Sequence, residues 1–421
     1  MLGAIMALSA APGAGAADGK EAKTTDPALL AEARRHEPLV AIAEALSEQG
    51  KGEYADTFTK ARIDGDRNRV VLLATDTNRA AKLIGAAKKA HGNINPANVI
   101  TEKADFSKRV LDDKVREIMA ASLMDPTTEP DIYSASPKSD GSGIEVGAKP
   151  DAVAKVKETF AAKATVRTAG AEIPVTTVSG MTPKAASWRW NDTRPQIGGD
   201  VLVGNARGGG TTHCTGGIAI ETGGGRDYLV TAAHCFPAGT NVYGSGGSYG
   251  DLSQIYNSGG NYIGTVAGVL PEWDAEAIDS GLYNGAGFNS DTADQPFGTW
   301  YRVTNAQYSY EGGPRVCQDG ARSYYTGHGV PCGTEVKDQD ITYNLQWSDG
   351  SWHSIRGVLG YNSSWATMQG DSGGLVFGIN SDGTRNARGI VSGVSADNKW
   401  IWWTEATDIM NNFNAKLNPH T

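Results

Sequence analysis

Tryptophan and cysteine are both missing from the first 187 residues of this 421-residue chain; all ten tryptophans and all four cysteines lie beyond them. A shift of that size marks at least two units with different duties, and the length alone exceeds what one ordinary core fills. No two cysteines are spaced as CxxC, which argues against a structural zinc site and against dithiol redox chemistry. No metal ligand set and no cofactor motif stands out. Four cysteines permit three pairings, and spacing does not choose among them. No apolar run approaches the ~20 residues that span a bilayer. Basic residues are scarce in one half only. Residues 191–421 carry 12 Lys and Arg against 22 Asp and Glu, a net of −10, whereas residues 1–190 carry 26 against 25, a net of +1. An acidic second half is a poor match for nucleic acid.

The N-terminus, MLGAIMALSAAPGAGAADGK, also lacks something: the basic residues that open a secretory signal. Its apolar run and the small residues after it still fit a signal peptide over residues 1–17, cleaved near Ala16 or Ala17. The other reading is an Ala/Gly tail. A cleaved signal implies a secreted, extracellular protein without a membrane span, and an oxidising compartment suits two disulfides.

Residues 28–49 have helical spacing, with Pro38 expected to break or restart the helix. The stretch YADTFTKARIDGDRNRVVLLATD predicts a hairpin turning at Asp64-Gly65-Asp66; DGDRN lacks the further ligands of a calcium loop. Asp76-Thr77 can cap a helix over TNRAAKLIGAAKKAHG, and NPANVITEKAD reads as a strand. SKRVLDDKVREIMAASLM predicts a helix and DPTTEP a linker. A second hairpin, helix and strand follow in IYSASPKSDGSGIEVGAK, PDAVAKVKETFAAKA and AEIPVTTVSG. The order hairpin, helix, strand thus occurs twice, around 54–101 and 131–179: two small α/β units, divergent copies or unrelated. From Gly198 the chain turns to short alternating runs parted by Gly, Ser and Asn, such as DYLVTAA, NYIGTVAGV and RGIVSGVS. That texture predicts an all-β barrel or sandwich. TEATDIMNNFNAKL predicts a closing helix, with Ile409, Met410, Phe413 and Leu417 on one face. NDT at 191–193 and NSS at 362–364 match glycosylation acceptors.

Two motifs carry chemistry. One is Leu229-Val230-Thr231-Ala232-Ala233-His234-Cys235; the other is Gly370-Asp371-Ser372-Gly373-Gly374. A serine hydroxyl is a poor nucleophile at neutral pH and needs an adjacent base. Imidazole titrates near the working pH, so His234 is the candidate base for Ser372. Glycines beside the serine let backbone approach a substrate without a Cβ clash. His213, His328 and His353 lie outside such motifs and suit ordinary surface or loop roles.

Together the motifs resemble those of the chymotrypsin-like (trypsin superfamily) serine proteases. CTGGIAI, VTAAHC and VCQDGARSYYTGHGVPCG are similar to segments of the bacterial secreted branch that includes the streptogrisins and α-lytic protease, over roughly 198–415. The resemblance implies two six-stranded antiparallel β-barrels over residues 191–421, with a Ser-His-Asp triad between them. It implies disulfides Cys214–Cys235 and Cys317–Cys332. Met368 stands where many relatives have a cysteine, so their third disulfide is absent. The amides of Gly370 and Ser372 are implied to form the oxyanion hole. Asp371 is implied to brace it by pairing with a freed N-terminal amine or its substitute. Ala366 stands where a trypsin-like enzyme carries an aspartate, which argues against a preference for Lys or Arg. Ser392 and Gly393 are implied to pair with substrate backbone, and Val394 to narrow the pocket toward small or medium apolar side chains. Residues 18–190 take the place of a prosegment that assists folding and then inhibits, with cleavage between Thr182 and Gly198, a stretch holding Trp188, Trp190 and Pro195. The partners implied are protein or peptide substrates and the chain's own prosegment, the mature form being a monomer. A catalytically silent binding module, an esterase with the same triad, and an independent N-terminal interaction domain are the other readings.

The third triad member is contested within EWDAEAIDSGLY (272–283). Side chains alternate along a strand, so Asp274 and Asp279, five apart, face opposite ways. Asp274 opens the run after a Pro-Glu-Trp turn and is the expected acid. Asp279, within DSGL, also fits the family's Asp-x-(Ala/Gly)-Leu pattern.

Overall fold

The computed structural model describes residues 20–21, 27–122, 130–163, 173–180, 194–245, 260–293 and 299–418. The expected signal peptide, nearly all of the DPTTEP linker, the NDT acceptor and most of the expected cleavage stretch lie outside them.

Helix α1 (Pro27–Lys51) runs through Pro38 without a break. This corrects the expected interruption. Proline inside a helix costs about 3 kcal/mol. Here it is offset by burial of Leu39, Val40, Ile42, Ala43 and Leu46, which follow it on the core face. Strands β1 (Phe58–Asp64) and β2 (Arg69–Ala74) form the first hairpin. Helix α2 (Thr77–Ala90) is capped by Asp76, whose carboxylate accepts from the Asn78 and Arg79 N–H groups. Strand β3 (Val99–Lys103) then pairs parallel with β2. The second unit repeats the plan: α3 (Lys108–Ser122), hairpin β4 (Ile132–Pro137) and β5 (Ile144–Ala148), α4 (Val153–Lys163), then β6 (Val175–Ser179) parallel to β5.

Beyond Gly198 the chain is built mainly of antiparallel strands. Strands β7 (Val201–Asn205), β8 (Thr211–Thr215), β9 (Ala219–Thr222), β10 (Arg226–Ala232), β11 (Asn241–Tyr243), β12 (Tyr262–Leu270) and β13 (Ala275–Tyr283) enter an eight-stranded sheet. Its core holds Leu202, Leu229, Phe236, Ile278 and Phe288. Strands β14 (Cys317–Asp319), β15 (Glu335–Gln346), β16 (Trp352–Tyr361), β17 (Leu375–Ile379), β18 (Arg385–Val394) and β19 (Trp400–Glu405) enter a ten-stranded sheet. The closing helix α5 (Ala406–Phe413) is shorter than expected. Asn414 adopts a left-handed conformation, φ 50°, and ends it. Leu417 therefore belongs not to the helix but to strand β20 (Ala415–Leu417), which pairs with β9.

The ten-stranded sheet crosses the compositional boundary. β4 pairs antiparallel with β15, Ser134 opposite Tyr343 and Ala135 opposite Thr342, so β4, β5 and β6 extend the sheet of the β half. The Asn344 side-chain amide donates to the Ile132 carbonyl at 2.6 Å. The first unit docks too: Tyr310 enters its core, and Gly312 approaches so closely that a Cβ would lie 2.1 Å from the Ile63 carbonyl.

Acids of the β half meet lysines of the N-terminal units at this junction. Lys60 pairs with Glu311 at 2.5 Å, and Lys108 with Asp340 at 2.7 Å. Burial works against the Asp340 carboxylate, but Lys108 and Lys60 overcome it and hold it well below the usual range. Asp338 fares otherwise: burial, reinforced by Glu311, pushes it up to about 6 against the pull of Lys60. A carboxyl raised in the docked state penalises that state when ionised, and the penalty fades as pH falls from about 6 toward the unfolded value near 4. Docking is therefore expected to tighten across that window. In Asp338→Asn, the urea midpoint of the full chain should lose its rise between pH 6 and 4; an unchanged rise would show that another group causes it.

Candidate active site

His234 follows the last residues of β10, a strand buried along Leu229, Val230, Thr231 and Ala232. Its neighbour Cys235 is joined to Cys214, and the second disulfide joins Cys317 to Cys332. The Met368 thioether sulfur accepts a hydrogen bond from Thr326.

Asp274 is fully buried and sits just before β13, not within it. It closes the short turn Pro271–Trp273 with a left-handed backbone, φ 42° and ψ 43°. An L-residue there costs roughly 1 kcal/mol, which the surrounding contacts must overcome. The turn aims the carboxylate at His234. Oδ1 accepts the His234 backbone N–H at 2.9 Å, and Oδ2 accepts the ring Nδ1–H at 2.7 Å. Since a carboxylate only accepts, Nδ1 carries the proton and Nε2 is left as an acceptor. Nε2 lies 2.7 Å from Ser372 Oγ. Asp279 is elsewhere, gripped by Arg226 through two hydrogen bonds of 2.9 and 2.6 Å.

Ser372 stands in a turn that leads into β17. Gly373 has φ 83°, and a Cβ on it would lie 2.0 Å from Thr231 Oγ1, so only glycine fits. The Gly373 N–H donates to Val391 and the Thr215 N–H to the Ser372 carbonyl, which tie this turn to both sheets. Gly370 has φ 120°. Asp371 is buried beneath the turn and accepts from Gln318, from the Ser323 N–H and hydroxyl, from Thr367 and from the Met368 N–H. All five donors are neutral.

The four specificity residues are divided. Ser392 turns its hydroxyl to Asp274 Oδ2 at 2.6 Å. Among the described residues, no strand pairs with residues 392–394 on the side away from β19. Val394 is buried on the same strand. Ala366 packs in a core with Val316, Val376, Val391 and Trp403. His328 stacks on Trp365 and His353 on Trp347, ring centroids 3.5 and 3.6 Å apart. Cys214, His234 and Cys235 are the one close group of metal-ligand types among the described residues. Both sulfurs are bonded to each other, leaving no thiolate to ligate.

No protein-family model matches the chain, and no curated protein matches it. Solved structures do resemble it. A glutamic acid specific serine protease that uses a histidine triad in substrate binding is 20% identical, at a TM-score of 0.38, over 53% of this chain and 100% of its own. A Nocardiopsis protease is 22% identical at 0.37, over 53% and 98%. Protease A of Thermobifida fusca is 20% identical at 0.37, over the same shares. At such scores and identities the likeness carries no weight for this chain's chemistry, which rests on its own residues.

Sequence reasoning gave Ser392 a substrate role and missed its bond to Asp274. It also passed over Glu276, fully buried two residues beyond Asp274. Burial pushes the Glu276 carboxyl well above the usual range, Arg207 opposing and Asp274 reinforcing. A glutamate alternating with alanines in a buried strand was the available signal. Ser392→Ala removes a hydrogen bond to a buried carboxylate, and should lower unfolding free energy by about 1.5–3 kcal/mol, read from urea denaturation; a loss under about 0.5 kcal/mol would deny that bond its weight.

Proposed function

We propose that the chain is a secreted serine endopeptidase that cleaves peptide bonds through an acyl-enzyme. One observation carries this reading: Asp274, His234 and Ser372 form a buried hydrogen-bonded chain, 2.7 Å at each link, with the ring tautomer that leaves Nε2 facing the serine hydroxyl. His234 takes the Ser372 proton as Oγ attacks the carbonyl, then gives it to the leaving amine. Asp274 holds the ring in place and stabilises the imidazolium. The N–H groups of Gly370 and Ser372 are the donors for the oxyanion, each worth about 3 kcal/mol in the transition state.

Two β-barrels flanking this site are the arrangement the reading assigns to residues 191–421, preceded by a signal over 1–17 and a prosegment over 18–190. The pairing of β4 with β15 supports a prosegment that templates the sheet, since non-local β topologies fold slowly. Ala366 supports a non-tryptic pocket, and the unpaired edge of residues 392–394 supports backbone pairing with an extended substrate. A silent binding module fits poorly with a complete triad. An esterase shares the triad and is told apart by rates on casein and on a short-chain ester.

Asp274→Asn is expected to lower turnover about 10⁴-fold, whereas Asp279→Asn removes only a partly exposed ion pair and should leave turnover within about twofold. The reverse order in a peptidase assay would reassign the acid. Ser372→Ala should accumulate full-length precursor when expressed without other proteases. Normal maturation would rule out self-processing.

A further inference from the structure

Asp274 holds the imidazole and the N–H of His234, but other groups hold the backbone on both sides of it. The turn between β7 and β8 carries Arg207. Its Nε donates to the Ala233 carbonyl at 2.7 Å, one residue before His234. Its Nη2 lies 3.4 Å from Glu276 Oε2. The other oxygen of Glu276 accepts the Phe236 N–H at 3.2 Å, two residues after His234. Arg207 and Glu276 thus grip residues 233–236 from both ends and are joined to each other. Glu276 has no solvent exposure and the Arg207 side chain only 14%.

The grip is anchored in the other sheet. The Arg207 guanidinium lies over the Trp347 ring, 4.5 Å from its centroid, and Trp347 stacks on His353. Both aromatic residues belong to the hairpin formed by β15 and β16. Gly208, next in the turn, comes so near that a Cβ would lie 2.2 Å from the Ser348 carbonyl. A planar guanidinium with donors in a fixed fork suits this task; an ammonium, a single point on a flexible stem, does not reproduce it.

We propose that Arg207 and Glu276 are positioning residues for His234, which hold its peptide segment so that Nε2 stays in line with Ser372 Oγ. The proposal rests on the peptidase reading for its kinetic consequence. Displacement of a reacting group by about 1 Å costs on the order of 10²-fold in rate. Arg207→Met keeps an apolar stem over Trp347 and removes the donors; Glu276→Gln keeps an acceptor for Phe236.

The test uses protein purified after expression of the full chain, with active sites counted by burst titration. Per active site, Arg207→Met should lose about 10²-fold in kcat with KM within about twofold. Glu276→Gln should lose less. The double variant should be no worse than Arg207→Met, because the two act as one unit. Wild-type kcat in Arg207→Met, or a loss that appears only as fewer titratable sites, would overturn the proposal. If Arg207→Met does not fold, Arg207→Lys takes its place: a kcat loss of about tenfold at unchanged KM supports the proposal, and wild-type kcat overturns it. If the wild type hydrolyses nothing and a serine-directed reagent does not label Ser372, the peptidase reading fails alone. The clamp is then judged by the Nδ1 proton resonance of His234, which should shift in Arg207→Met and overturns the proposal if it does not.

Discussion

A buried carboxylate that must be fully paired organises the site. Asp274 has no solvent exposure, and an unpaired charge there would cost several kcal/mol. Its three donors come from two separate parts of the chain: His234 beside the eight-stranded sheet and Ser392 in the ten-stranded one. Pairing Asp274 therefore requires both sheets to be in register with each other. Ser372 follows from the same docking, because its turn is held by Val391 on one side and Thr215 on the other. The left-handed backbone at Asp274 is strain tolerated because three hydrogen bonds oppose it.

The support under the serine has a different character. Asp371 accepts from an amide side chain, two hydroxyls and two backbone N–H groups. None of these donors titrates near neutral pH. A brace built on an amine would weaken as the amine lost its proton; one built on neutral donors does not.

The sequence made the histidine and serine motifs legible because each is a contiguous string whose spacing has a local cause: a strand end before His234 and a glycine turn around Ser372. Strands such as β7, β10, β12 and β18, the two N-terminal hairpins and the α2 cap at Asp76 were legible for the same reason, whereas β8, β11, β16 and β19 were not read. Asp274 shows where such reading stops. The alternation rule separates it from Asp279 only if both lie in one strand, yet Asp274 precedes the strand and is aimed by a turn. Pro38 misled because local propensity is weaker than the burial of the residues after it. Leu417 misled because a helical spacing of apolar residues says nothing of the left-handed Asn414 that ends the helix. The β4–β15 pairing and Arg207 were invisible, since each depends on contacts between residues far apart in the chain; Glu276 showed only as a glutamate between alanines.

The acidic surface of the β half gains a second meaning from that pairing. Glu311, Asp338 and Asp340 face Lys60 and Lys108 of the N-terminal units. Asp338 and Asp340 lie on β15 itself, the strand at which the sheet would end if β4 were gone. A bare edge strand is a template for pairing with another chain, and charges along it are a recurrent defence. While the units are docked, the lysines neutralise the acids and the sheet continues into β4. Without the lysines, the acids stand as like charges that repel a second copy of the same edge. One cluster thus serves both states: docked, it is neutralised by Lys60 of β1 and Lys108 of α3; bare, it repels another acidic edge.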